Sequence, residues 1–194
     1  ETAVRAGLPG LSPTTRALLL VCTNGRRDVC CAVFGRPLAH DAGLQRPGQV
    51  WETSHTGGHR FSPTAVLLPW GITLARLDGR LAVATLDAAA AGHLPRDVLG
   101  PQHDRGRSSL APPAQAAESA IRAGLGETTI EALSTSLEQT GESTWRATVR
   151  RGGEQWTVAV ARSAPTGLRA PSCGKAPEPY SSYDVQVPAA LDPA

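Results

Sequence analysis

The stretch Arg16-Ala-Leu-Leu-Leu-Val-Cys22-Thr-Asn-Gly-Arg-Arg-Asp-Val-Cys-Cys31 decides how this chain is read. A short continuous apolar run, stopped by Thr23-Asn24-Gly25, predicts a buried strand that ends in a turn. Asp28 stands where it can cap a helix that continues through Val29, Ala32, Val33 and Leu38 until Pro47-Gly48 breaks it. Working outward, Gln49-Val-Trp-Glu-Thr53 alternates as a second strand. Beyond the loop at Gly57-Gly58, residues 65–69 and 72–77 flank Trp70-Gly71 as a hairpin. Residues 81–91 form an Ala-rich helix.

The resulting order through residue 92 is strand, helix, strand, loop, strand, strand, helix. It predicts an α/β, thioredoxin-like fold, a mixed sheet with flanking helices. Residues 1–15, rich in Gly, Pro and Thr, read as a lead-in to the thioredoxin-like domain spanning 16–94. The Pro-, Gly- and Arg-rich run from 94 to 113 marks a boundary, and residues 95–194 read as a C-terminal extension. In it Pro113 starts a helix that ends at Gly124 or Gly126, with Ala116, Ala117, Ala120 and Ile121 at helical spacing. Thr144-Trp-Arg-Ala-Thr-Val149 and Gln155-Trp-Thr-Val-Ala-Val160 alternate on either side of Arg150-Arg-Gly-Gly153 as a β-hairpin. Residues 163–194 hold six Pro and read as a tail that wraps over the surface or frays.

Composition narrows the function classes. The 194 residues are 41% hydrophobic and 19% charged, with a net charge of +2. That balance is too small to point to nucleic acid or an anionic membrane as partner. The longest apolar run, residues 17–21, cannot span a bilayer, and the chain is expected to be cytoplasmic. Four Trp, two Tyr and two Phe leave the core to Ala, Val and Leu and argue against a deep aromatic-lined substrate pocket. The sequence has no Met, which points to a trimmed or shortened chain. Three of the four cysteines, Cys22, Cys30 and Cys31, fall within ten residues; without export signals such clustering points to metal or redox chemistry.

The chemistry concentrates between residues 22 and 61. Cys22 closes the first strand, Cys31 lies in the first turns of the helix, and the next loop reads His55-Thr-Gly-Gly-His59. Two thiolates and two imidazoles from neighbouring loops make four ligands, enough for a tetrahedral zinc or a binuclear iron cluster. The paired glycines let the backbone turn tightly and approach a cofactor without Cβ clashes. Eight residues between cysteines exceed the spacing usual in structural zinc sites, while three between histidines fit it; from spacing alone zinc and iron–sulfur stand equal. Cys30 and Cys31, adjacent on a helix, point about 100° apart and cannot serve equally. Cys30 reads as a small packed residue. Cys173 reads as a surface or packing residue, because the Pro-rich tail shows it no partner.

Val21-Cys-Thr-Asn-Gly-Arg-Arg-Asp-Val-Cys-Cys31, with Trp51-Glu-Thr-Ser-His-Thr-Gly-Gly-His-Arg-Phe61 and Val66-Leu-Leu-Pro69, resembles the sucrase/ferredoxin-like family, a branch of the thioredoxin-like 2Fe-2S ferredoxins. Arg105-Gly-Arg107 and Pro112-Pro-Ala-Gln-Ala-Ala-Glu118 extend the likeness. The resemblance implies a 2Fe-2S cluster with bis-histidine ligation, its ligands Cys22, Cys31, His55 and His59. Thr53 stands where many relatives have a further cysteine, and some relatives have Asp in place of His59. No pair of carboxylates is set up for glycoside hydrolysis, so the "sucrase" label finds no support in these residues.

The expected function is therefore electron transfer rather than enzymatic turnover, with a reductase or electron acceptor protein as partner. Arg26, Arg27 and Arg60 flank the ligands and could offset cluster charge or dock an acidic partner. The C-terminal half is open to three roles: bracing the cluster domain, forming a homodimer or presenting a docking face. Two rivals stand beside this reading, a zinc-stabilised interaction module and a thiol–disulfide protein. The latter ranks last, because Cys-x-x-Cys is missing and a vicinal Cys30–Cys31 disulfide is strained.

Overall fold

Leu19, Val21 and Cys22 are wholly shielded from solvent because β1 (Leu18–Cys22) has strands on both sides. It pairs in parallel with β2 (Val50–Thr53) and antiparallel with β3 (Thr64–Leu68). The computed structural model describes residues 16–26 and 28–191, so the lead-in read over 1–15 lies outside the described residues, as does Arg27. β3 reverses into β4 (Ile72–Ala75), with Gly71 at a φ of 67° that a side chain would resist. The expected hairpin is thus present.

The helices follow their sequence signals. α1 (Val29–Gln45) and α2 (Gly79–Ala90) pack on each other, and α1 lies along β1 and β2. Asp78 caps α2, its Oδ1 accepting the Leu81 N–H at 2.7 Å. Asp28 occupies the equivalent position at α1 but makes no capping bond, its carboxylate being engaged elsewhere. Leu38, Ala42, Leu86 and Ala89 from the helices meet Leu19, Leu67 and Leu74 from the sheet in one core. This is the α/β, thioredoxin-like mixed sheet with flanking helices that the element order predicts.

A fifth strand was not legible beforehand. β5 (Asp104–Arg107) lies in the Pro/Gly/Arg-rich run and pairs with the free side of β4, giving the order β2-β1-β3-β4-β5. Its four polar or glycine residues carry no apolar alternation, and Gly106 sits at a φ of 83°.

The remaining chain builds a second layer. α3 (Pro112–Leu125) lies against β5 and against a four-stranded sheet ordered β11-β8-β7-β6. The predicted hairpin is β7 (Thr144–Arg151) with β8 (Glu154–Arg162); β6 (Ser134–Gly141) adds a polar edge that shows no strand pattern in sequence. Ala117 and Ile121 of α3 pack on Ala147, Val149, Val158 and Val160. The tail is more regular than expected. β9 (Thr166–Arg169) and β10 (Glu178–Tyr180) form a hairpin, and β11 (Tyr183–Val185) joins β8.

A buried ionic network links the two layers. Arg107 of β5 donates through Nε to Glu118 Oε1 at 2.7 Å, and Thr135 of the second layer donates to Glu118 Oε2 at 2.7 Å. Arg107 also reaches the carbonyl oxygen of Ile130 at 2.6 Å, while Arg122, 2% exposed, donates to those of Thr129 at 2.9 Å and Ile130 at 3.0 Å. Every buried oxygen of Glu118 is thereby satisfied. Glu118→Ala strands Arg107 and Arg122 without their carboxylate, so denaturant unfolding should show a loss of about 3–5 kcal/mol. A loss below about 1 kcal/mol would show that the network is not structurally important.

Candidate metal centre

The connection from β1 to α1 is short, and glycines stand at two points where the helix passes the strand end. An ideal Cβ on Gly35 would lie 2.2 Å from the Cys22 carbonyl oxygen, and one on Gly25 would lie 2.8 Å from the Ala32 Cβ. The absence of side chains there lets α1 cross the end of β1 at close range. That crossing brings Cys31, 1% exposed, next to Cys22, 0% exposed, close enough for the Cys22 sulfur to act on the Cys31 thiol. Burial pushes the Cys31 thiol up to about 12, with the Cys22 sulfur and the Asp28 carboxylate adding to it. Such a pair releases its protons when a cation compensates the negative charge, as thiolate ligands do.

The histidine loop leaves the same end of the sheet. Cys22 pairs across the ladder with Thr53, so His55 follows two residues after the strand position beside Cys22. His55 is exposed; His59 opens a short 3-10 turn, His59–Phe61, and its side chain lies outside the described residues. Gly57 and Gly58 hold consecutive left-handed φ values of 79° and 65°, a conformation that requires glycine at both. Ser62 Oγ donates to the Cys30 carbonyl oxygen at 2.9 Å, and the Thr56 and Thr64 hydroxyls meet at 2.8 Å, so the loop is tied to the first turn of α1 and to β3.

The structure therefore brings Cys22 and Cys31 into contact and sets the histidine loop at the same sheet end. Cys22, Cys31 and His55 do not form a group with all donor atoms within 4.8 Å of one another. Among the described residues the group that does so is a different one: Asp28, Cys30 and Cys173. Cys30 Sγ donates to Asp28 Oδ1 at 3.0 Å, and the Cys173 N–H reaches both Asp28 oxygens at 3.1 and 3.2 Å. Burial and the neighbouring Asp28 and Cys173 push the Cys30 thiol well above the ordinary thiol range. The expectation that Cys173 has no partner is thus corrected. Its partners lie more than a hundred residues away in sequence, and no local signal in the tail reveals them.

A second feature borders the loop. Phe61 is ringed by three guanidinium groups, Arg60 at 4.9 Å, Arg76 at 5.0 Å and Arg105 at 4.1 Å from its centroid. Burial lowers the pKa of Arg105, helped by repulsion from Arg76 and Arg60. Arg60 was already marked in sequence as flanking the ligands; Arg76 and Arg105 become neighbours only through the fold. Arg60, Phe61 and Arg105 border a cleft of about 820 Å³ that also takes in Gly58, Arg169 and Tyr180.

With this geometry in place, comparison with known families is informative. Residues 2–92 match the model of the sucrase/ferredoxin-like family. The sucrase/ferredoxin-like segment holds β1 to β4, both flanking helices, the Cys22–Cys31 pair and the whole histidine loop, and it stops short of β5. No curated protein and no solved structure matches the chain. Among the described residues no helix is long and apolar enough to cross a membrane.

The Gly35 contact can be tested directly. Alanine gains about 1 kcal/mol of helix propensity over glycine, but its methyl group would drive α1 away from the Cys22 carbonyl, a backbone atom that cannot swing aside. Overpacking of this kind costs about 1–3 kcal/mol. Gly35→Ala should lower the thermal midpoint and reduce metal retention after purification; a variant at least as stable as the parent would contradict the close-approach argument.

Proposed function

We propose that the chain is an electron carrier that holds a 2Fe-2S cluster on Cys22, Cys31, His55 and His59, and that it catalyses no substrate turnover of its own. The observation that carries this reading is the buried contact between the Cys22 and Cys31 thiols at the end of β1, beside a loop bearing two imidazoles. The donor set suits a binuclear centre, in which each iron takes its own ligand pair. Structural zinc sites usually have two to four residues between their cysteines, whereas eight separate Cys22 from Cys31.

When bound, the cluster supplies reversible storage of one electron. Two thiolates and two neutral imidazoles place less negative charge around it than four thiolates, so this ligand set raises the potential above that of an all-cysteine site. Each imidazole keeps a second nitrogen that can hold a proton, and negative charge added nearby favours the protonated form. His55 and His59 would thereby couple electron transfer to proton uptake. The ring of Arg60, Arg76 and Arg105 around Phe61 lies next to the loop, and none of the three forms an ion pair among the described residues. It supports docking of an acidic redox partner at this side of the centre.

Anaerobic purification tests the cofactor. The protein should be brown, with two irons and two sulfides per chain, the composition of the cluster itself, and a reduced-state EPR signal; Cys22→Ser and Cys31→Ser should lose the colour while Cys30→Ser keeps it. A colourless protein with one zinc would replace the reading with a zinc-stabilised module. For proton coupling, the midpoint potential should fall by up to about 59 mV per pH unit where one proton accompanies one electron. A potential flat from about pH 6 to 10 removes the histidine role.

The docking surface has its own test. The double variant Arg60→Glu, Arg76→Glu should slow electron exchange with an acidic partner by about tenfold or more at low ionic strength and flatten its salt dependence. An unchanged rate would move the docking site elsewhere.

A further inference from the structure

Two cysteines that the electron carrier does not use meet where the C-terminal arm touches the first turn of α1. Cys173 lies in the connection between β9 and β10, beside Gly174 at a φ of 76°. Asp28, 2% exposed, holds the Cys173 N–H with both carboxylate oxygens and accepts the Cys30 thiol on Oδ1. The Cys30 and Cys173 sulfurs and an Asp28 carboxylate oxygen lie within 4.8 Å of one another. Cys30 is partly covered and Cys173 is exposed. One thiol is therefore open to reagents from solvent, and the second is held behind it.

We propose that Cys30 and Cys173 form a reversible disulfide that clamps the C-terminal arm to the helix carrying Cys31. The sulfurs lie within 4.8 Å of each other, and the disulfide would bring them to a bonded length of about 2.05 Å. Cys31, the other neighbour of Cys30, is turned toward Cys22, which leaves Cys173 as the accessible partner.

The oxidant is a small-molecule disulfide such as oxidised glutathione. The Cys173 sulfur attacks one of its sulfurs, the small-molecule S–S bond breaks, and one thiol leaves, so that Cys173 carries a mixed disulfide. Cys30 then attacks the Cys173 sulfur, its proton passing to the Asp28 oxygen that already accepts it. The mixed disulfide breaks, and the second small-molecule thiol leaves and recovers that proton through solvent. Two protein thiols are oxidised and one disulfide is reduced to two thiols, with no net change in protons. A small-molecule thiol reverses the sequence.

The clamp has a structural consequence, because the arm supplies Arg169 and Tyr180 to the cleft beside Phe61. Oxidation would fix that wall in place, and reduction would leave it held by hydrogen bonds.

The test uses the full chain as purified, incubated with oxidised glutathione, quenched in acid, alkylated and digested with trypsin without reductant. The expected product is a crosslink between peptide 28–60 and peptide 170–175 that disappears with dithiothreitol and is absent from Cys30→Ser and Cys173→Ser. Backbone hydrogen exchange across residues 163–185 should slow several-fold in the oxidised chain. A crosslink that survives in Cys30→Ser, a glutathione adduct on Cys173 that does not resolve, or unchanged exchange in the arm overturns the proposal. Protection of both thiols by one added zinc per chain also overturns it, making Asp28, Cys30 and Cys173 a metal site instead. None of these readouts involves iron, so their failure is separate from failure of the electron-carrier reading.

Discussion

The close passage of α1 over the end of β1 is the constraint on which the candidate centre depends. It is set by Gly35, whose missing side chain leaves room for the Cys22 carbonyl. Strand and helix are each ordinary elements, and either would form with a larger residue at position 35. What would change is their separation at the one point where both carry a thiol. Because Cys22 is locked by ladders on both sides and Cys31 is fixed by helix geometry, neither sulfur can search for the other. Their meeting is decided by backbone contact, which is rigid, rather than by flexible side chains. Such preorganisation lets ligands hold a metal without the entropy cost of assembling the site on binding.

The second layer is joined to the first by charge as much as by apolar contact. Two separate apolar clusters lie on either side of α3 and β5. Between them Arg107, Glu118 and Arg122 converge with Thr135 and the backbone carbonyls of Thr129 and Ile130. A buried ion pair is usually less stabilising than an apolar replacement of equal volume, but its geometry admits few alternatives. The guanidinium groups of Arg107 and Arg122 thereby tie α3 and β5 to the backbone at residues 129–130, just before the second sheet begins.

The sequence was most legible where pattern is local. Residues 16–22 announce β1 by an unbroken apolar run, and the β3–β4 and β7–β8 hairpins by alternation around Gly-containing turns. The helix read over 81–91 begins two residues earlier, at Gly79, where Asp78 caps it. The same residue type misleads at Asp28, where the position is right and the bonding is not, because a carboxylate in a packed corner takes the strongest donors within reach. β5 and β6 were invisible for a physical reason: each is held by its neighbours and by α3, not by an apolar face of its own, so Asp104-Arg-Gly-Arg107 and the Ser/Thr-rich β6 look like loops. For the site, Cys22, Cys31 and the Gly-Gly turn between the histidines could be singled out from spacing. The Asp28–Cys30–Cys173 group and the arginines at 76 and 105 could not, since only tertiary folding makes neighbours of residues so far apart.

β5 also bears on how far the family segment is separable. The outer edge of β4 is satisfied by a strand from beyond residue 92, with the Ala75 N–H bonded to His103 and the Gly71 carbonyl to Ser108. A polypeptide cut at the end of the matched segment would present that row of donors and acceptors, flanked by Ile72 and Leu74, as an unprotected template for strands of other molecules. The extension thus acts as a protecting edge for the sheet that carries Cys22, a role independent of any chemistry the extension performs.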